Sequence, residues 1–237
     1  MAEPQRKVTE KEYEPLKVTA WLASPIVYQA ELPYLDAMVE WVVLHRTRKN
    51  VTLDPAAAPP EPGAVPSPIL REQIGGHLVP RASAAIAAGP EYLEHIGTRI
   101  DTSHVHLLDA DRHRRYLTTG GEFRAYYLPL RLLQSEQLVW FAVGNRRALY
   151  SAVKLIRSLG KKRSYGYGRI AKWEVEPIER DMSWWAAIDG RGSLLMRPLP
   201  LCSELPADLF GMRRDFGAVA PPYWHPGRWI ERVVPAQ

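Results

Sequence analysis

The stretch Leu155–Ile178, LIRSLGKKRSYGYGRIAKWEVEPI, decides how the chain is read. Its start continues an amphipathic pattern in which Leu149, Ala152, Val153, Ile156 and Leu159 recur at helical spacing behind Asn145, a helix-capping residue. Gly160 stands where a left-handed helix terminator belongs. From Gly168 to Ile178 apolar and polar residues alternate as in a strand, until Pro177. Between helix and strand lies GKKRSYGYGR, Gly160–Arg169. Its glycines let a backbone approach phosphate closely, its cations supply charge, and its two tyrosines offer faces to unpaired bases. An RNA-binding reading therefore takes in Lys161, Lys162, Arg163, Ser164, Tyr165, Tyr167 and Arg169. A second reading has Gly160 end a helix, the lysines satisfy its carbonyls and the tyrosines join the core. The spacing matches neither a Walker A loop nor a dinucleotide-binding turn.

Working outward, Leu138–Val143 (LVWFAV) is an apolar run suited to a buried strand, and Leu16–Ala23 alternates as a first strand. Pro33 opens a helical pattern over Tyr34–Arg46, with Leu35, Met38, Val39, Val42 and Val43 on one face and a basic end that suits the helix dipole. Another strand is expected within His77–Ala84. The resulting order, β, α, β, insertion, β, α, β, is that of an α+β, ferredoxin-like (RNA-recognition-motif-like) domain spanning 16–180. Its insertion, 98–131, reads as a thumb-like hairpin: strand-like Val105, Leu107 and Leu108, a basic glycine-containing tip, then a strand over Arg124–Leu132. Residues 1–15 form a polar tail. The segment 54–68 carries Pro55, Pro59, Pro60, Pro62, Pro66 and Pro68, which forbid a regular helix or central strand, so it reads as a surface loop. Residues 181–237 read as a loop-rich C-terminal extension held by Trp184, Trp185, Trp224 and Trp229.

Composition narrows the partners. The 237 residues are 46% hydrophobic with a net charge of +5, which suits a soluble domain with a modest preference for polyanions. No run reaches the roughly 18–20 apolar residues of a membrane span, and Met1–Glu14 lacks the apolar block of a signal peptide. The single cysteine, Cys202, fits a reducing cytoplasm and reads as a packing residue. Charge is concentrated: between Glu136 and Glu174 there is no carboxylate, yet Arg146, Arg147, Lys154, Arg157, Lys161, Lys162, Arg163, Arg169 and Lys172 all fall there. Such a window predicts salt-sensitive binding to a polyanion, and it adds Arg146 and Arg147 to the candidate RNA-binding residues.

Other constellations carry less. Arg112, His113, Arg114 and Arg115 at the expected hairpin tip are either a solvated charge run or a contact to nucleic acid or a neighbouring subunit. His104 and His106 have metal-ligand spacing, but only Asp101 and Asp109 stand nearby, so no metal or other cofactor is expected. His113 or His45 could act as a base in RNA cleavage, but nothing fixes a catalytic partner, and no catalytic residue is assigned. Neither a G-x-S-x-G elbow nor the aromatic RNA-recognition motif is present, which directs RNA binding to loops rather than a sheet face.

The loop joining a helix to the strand with Trp173 resembles the glycine-rich loop of the repeat-associated, ferredoxin-like RNA binders of CRISPR systems. Three further stretches narrow the likeness: ASPIVYQAELPYLDAMVEW near the start, LLMRPLPL at 194–201 and PPYWHP at 221–226. Together they resemble the type IV CRISPR–Cas effector subunit of the Cas-five group, over about Lys17 to Pro226. The resemblance implies a non-catalytic subunit that caps the 5′ handle of the CRISPR RNA. It would sit beside backbone filament, large and processing subunits, and meet target DNA indirectly, since guide pairing reads the sequence. It implies that Lys161, Lys162, Arg163, Tyr165 and Tyr167 hold the handle and that Arg112, Arg114 and Arg115 belong to the thumb. The proline-rich 54–68 loop has no counterpart in that pattern. The alternative within the same superfamily is a metal-independent endoribonuclease that processes CRISPR RNA. A generic RNA-recognition-motif protein would leave the PPYWHP region without a role.

Overall fold

The computed structural model describes residues 13–29, 31–47, 65–98 and 125–236. The first strand, β1 (Glu14–Leu22), alternates as expected, burying Leu16, Val18 and Ala20 on one face. A short β2 (Ile26–Tyr28) follows, and Pro33 precedes α1 (Leu35–Thr47), which has Asp36 in its first turn and His45 and Arg46 in its last. Next come β3 (Arg71–Ile74), β4 (His77–Pro80), β5 (Ile86–Ala87), β6 (Glu91–Thr98), β7 (Tyr126–Leu133) and β8 (Gln137–Gly144). Then α2 (Arg146–Val153) leads through the glycine-rich stretch to β9 (Ile170–Pro177). The fold is α+β, strand-dominated, with two α-helices among the described residues.

One sheet has the order β5-β8-β1-β9, every pair antiparallel. Its register sets Val18 between Trp140 and Val175, and Ala20 between Leu138 and Trp173, so the buried residues share one face. Leu35, Val39 and Val42 of α1 and Leu149, Ala152 and Val153 of α2 close over that face. A buried indole must also place its N–H. Trp140 donates to the Pro33 carbonyl at 3.0 Å and Trp173 to the Ile156 carbonyl at 2.9 Å, while their rings stack at 5.8 Å.

Three elements differ from the pattern reading. The helix expected to run to Gly160 ends at Val153, because Leu159 N–H bonds to the Gly168 carbonyl and Ile170 N–H to the Arg157 carbonyl. That pairing draws residues 157–159 out of the helix and along the entry to β9, although Leu159 still reaches the core. The strand expected within 77–84 is split. β3 and β4 form a hairpin about Gly75 and Gly76, and the sheet's outer strand is the two-residue β5. The second arm of the thumb-like hairpin is β7, and its partner is β6, paired from Glu91↔Leu133 to Thr98↔Tyr126. Val105, Leu107 and Leu108 lie outside the described residues, as do 1–12 of the polar tail and 54–64 of the proline-rich loop. β2 pairs with the other side of β7, giving a second sheet in the order β2-β7-β6.

The segment read as loop-rich contains six short strands: β10 (Trp185–Ile188), β11 (Gly192–Leu195), β12 (Leu199–Pro200), β13 (Leu209–Phe210), β14 (Met212–Gly217) and β15 (Ile230–Pro235). They form two three-stranded sheets, β10-β11-β13 and β12-β15-β14. Runs of two to six residues leave little periodicity to read, which is why they pass as loop. Trp184, Leu195, Leu199, Leu209, Val219 and Val233 make a second core here, joined by Ile74 and Val79 of the β3–β4 hairpin.

Candidate nucleic-acid interface

The glycine-rich loop is fastened at both ends to the edge formed by β1 and β2. Lys161 N–H bonds to the Val27 carbonyl at 2.9 Å, and Gly168 N–H to the Pro25 carbonyl at 2.8 Å. Ser24 links the two chain segments twice: its hydroxyl donates to the Gly166 carbonyl at 2.8 Å and accepts from Arg169 N–H at 2.9 Å. The glycines at the two fastenings are required by contact as well as conformation. A Cβ on Gly160, φ +75°, would lie 2.3 Å from the Val27 oxygen, and one on Gly168, φ +65°, 2.0 Å from the Leu159 oxygen. Gly166, φ +90°, faces open space. Between these points the chain makes a single 3-10 turn over Arg163–Tyr165, entered through Lys162 at φ +55°.

The candidate residues separate by environment. Arg163, Ser164 and Arg169 are exposed on the loop, and Tyr165 is 53% exposed. Lys161 is exposed, its ammonium bonded to the Gln29 amide oxygen. The Lys162 ammonium lies 5.5 Å from the Tyr165 ring centre and 5.8 Å from that of Tyr126, within cation–π range of both. Tyr167 packs against Val27, Leu130 and Leu132, and its hydroxyl donates to Glu94 at 2.7 Å. That bond, with burial and the Glu94 charge added, pushes the Tyr167 phenol up to about 12. Of the two tyrosines in the motif, one holds the loop to the β2-β7-β6 sheet and the other faces solvent.

Arg146 and Arg147 are not part of this cluster. Arg146 Nε donates to the Val175 carbonyl at 3.0 Å, near the far end of β9, whereas the loop adjoins Ile170. Five residues of strand at ~3.3 Å each separate those two points. The acid-free window is continuous in sequence and divided in space. Arg112, His113, Arg114 and Arg115 lie outside the described residues, as do His104 and His106. Among the described residues no three or more His, Cys, Asp or Glu side chains are grouped to hold a metal ion. No described helix is long and apolar enough to cross a membrane.

Sequence reading misses that Tyr126, Ser24 and Gln29 meet the loop from distant segments, although Ser24 and Gln29 stand in the ASPIVYQAELPYLDAMVEW stretch. It also misses what its three diagnostic stretches do. Arg197 of MRPLPL is fully buried, donating to the carbonyls of Pro80 (2.5 Å), Ala82 (2.7 Å) and Val219 (2.7 Å) and to the Tyr223 hydroxyl (2.7 Å). Tyr223 of PPYWHP donates to Asp36 of LPYLDA at 2.5 Å and stacks on Tyr34 at 4.2 Å. Asp36 lies 3.8 Å from the Arg197 guanidinium. The three stretches thus meet in one buried joint between α1 and the second core.

A further cleft of about 530 Å³ lies between β2, β7 and the C-terminal end, lined in part by Tyr28, Glu91, Arg131 and Arg213. Arg131 donates twice to Glu91, at 2.8 and 2.6 Å, and lies 5.0 Å over the Tyr28 ring. Burial, then the Glu91 carboxylate, pushes the Tyr28 phenol up to about 12. Arg131 in this cleft is therefore already committed to a carboxylate, whereas Arg163 and Arg169 stand exposed on the loop.

A family model described as CRISPR type IV associated protein Csf3 matches residues 91–235, which includes the glycine-rich loop and the second core. No curated protein shows significant similarity to the chain.

Proposed function

The chain belongs to the Csf3 family of CRISPR type IV associated proteins, and we propose that it is the non-catalytic subunit that binds and caps the 5′ handle of the CRISPR RNA. In this reading the first unit is a ferredoxin-like domain. Support comes from the antiparallel order β5-β8-β1-β9, with both helices on one face and the β6–β7 hairpin inserted before β8. The handle runs along the glycine-rich loop, where Lys161, Lys162, Arg163 and Arg169 meet phosphates and Tyr165 meets a base. The subunit works in the cytoplasm, anchoring backbone filament, large and processing subunits around the guide, and guide pairing selects the DNA target.

One observation carries this reading: a basic loop, fixed at both ends by backbone hydrogen bonds, that presents an exposed tyrosine. A loop that only ended a helix would not be pinned to β2, and α2 ends several residues earlier. The test is binding of repeat-derived RNA by the purified protein across a salt series. Changing Lys161, Lys162 and Arg163 together to Ala should weaken binding about tenfold or more near physiological salt. It should also make the log–log salt slope shallower by about 2, at roughly 0.7 for each single-strand phosphate that is no longer neutralised. Unchanged affinity and slope would remove the loop from the interface. Metal-independent cleavage of the repeat RNA by the same preparation would favour the processing endoribonuclease instead.

A further inference from the structure

We propose that Tyr165, Tyr126 and Lys162 form a seat for one unpaired nucleotide, its base stacked on the exposed face of Tyr165 and its flanking phosphate held by the Lys162 ammonium. The seat rests on the RNA-binding reading above and names the unit of RNA it takes.

Three features of the loop have no use in packing. The first is Lys162 itself, the one non-glycine among the described residues with a positive φ. A left-handed backbone costs an L-residue about 1 kcal/mol or more, and glycine, already used at three places in this loop, would avoid that cost. The strained conformation places a cation within reach of two aromatic rings.

The second is Tyr165. More than half exposed, it gains little from burial, yet its position is fixed: its N–H bonds to the Lys162 carbonyl at 2.9 Å and its hydroxyl bonds to that of Tyr126. An exposed ring held still is preorganised for stacking, because the rotamer entropy is lost before the ligand arrives. The third is Gly166, which follows Tyr165 directly and where an added Cβ would meet nothing within 4 Å apart from its chain neighbours. Glycine is required there by φ alone, not by packing, and the turn beside Tyr165 stays open to solvent.

Tyr126 gives the seat its second wall and its location. It opens β7, at the base of the inserted hairpin, so the seat joins the glycine-rich loop to the stem of the thumb. Every base has a π-face, so stacking there is tolerant of sequence, and the pairing edge of the seated base stays outside the ring contact.

The experiment uses the full chain and single-stranded RNA of the 5′ handle, carrying 2-aminopurine at successive positions in separate oligonucleotides. Stacking quenches 2-aminopurine fluorescence. One position is expected to be quenched on binding, with the quench retained in Tyr165→Phe and lost in Tyr165→Leu. Affinity should drop about tenfold in Tyr165→Leu and little in Tyr165→Phe. Tyr165 is exposed, so both variants should fold, and matching melting curves would verify it. If the RNA binds with normal salt dependence but no position is quenched, or the quench survives Tyr165→Leu, the seat is wrong while RNA binding stands. If the wild-type chain does not bind the handle RNA, the seat and the proposed function fail together.

Discussion

Lys162 separates two demands that usually coincide, since its conformation suits glycine and its charge suits RNA. At φ +55°, Lys162→Gly relieves strain, whereas Lys162→Ala keeps the strain and loses the same ammonium. The glycine variant should therefore be more stable than the alanine variant by about 1 kcal/mol in denaturant unfolding. Both should lose RNA affinity to a similar extent. A glycine variant that binds RNA as tightly as wild type would show that the ammonium touches no phosphate. Residues of this kind mark the limit of sequence reading. The KKRSYGYG motif gives the charge and the tyrosines, but not which tyrosine faces solvent. Tyr167 turns inward because Val27, Leu130 and Leu132 of the neighbouring sheet offer it a surface, and Glu94 accepts its hydroxyl. Those partners lie far from the motif in sequence, so no local pattern distinguishes Tyr167 from Tyr165.

At the scale of elements, legibility depends on length and on pattern. β1, α1 and β9 have eight or more residues and a clean period, β8 is an unbroken apolar run, and each can be read from the sequence within a residue or two. The equally long β6 has neither signal and goes unread. The two-residue β5, β12 and β13 carry no period and exist only through their partners. The end of α2 escapes the pattern for a related reason. Leu155–Gly160 keeps an acceptable helical spacing, but pairing of 157–159 with 168–170 outcompetes it, and that pairing depends on Gly168 rather than on any helix breaker. Gly168→Ala should therefore cost about 3 kcal/mol or more, since it combines a left-handed φ with a 2.0 Å clash against backbone. Gly166→Ala keeps the unfavourable φ but meets no atom, and should cost only about 1–2 kcal/mol. Denaturant unfolding of both variants checks the order. Equal losses would mean that conformation alone, and not the close approach of the two strands, requires glycine at 168.

For the whole molecule, the decisive arrangement is that the joint between α1 and the second core is ionic. Asp36 and Arg197 are buried, the half-buried Tyr223 bonds to both, and one turn further along α1 the Glu40 carboxylate pairs with Arg71 of β3. Three stretches far apart in sequence thus supply Asp36, Arg197 and Tyr223 to one joint that ties α1 to the second core. Removing one member of a buried pair leaves an uncompensated charge, which is costly in a dry joint. Glu40 gives the joint a pH signature. Burial pushes its carboxyl from 4.5 up to about 7; the Asp36 charge adds to this, while Arg71 and Arg228 oppose it. Because the folded pKa is the higher one, the native state holds a proton that the unfolded chain has lost between about pH 4.5 and 7. Glu40's contribution is therefore most favourable below that window, declines as pH rises through it and levels off above 7. The measurement is unfolding free energy for wild type and Glu40→Gln from pH 5 to 8. The difference should shift by about 2 kcal/mol in favour of the Gln variant at the upper end. A flat difference would mean that Arg71 keeps Glu40 ionised throughout, and that the joint is an ordinary ion pair indifferent to pH in this range.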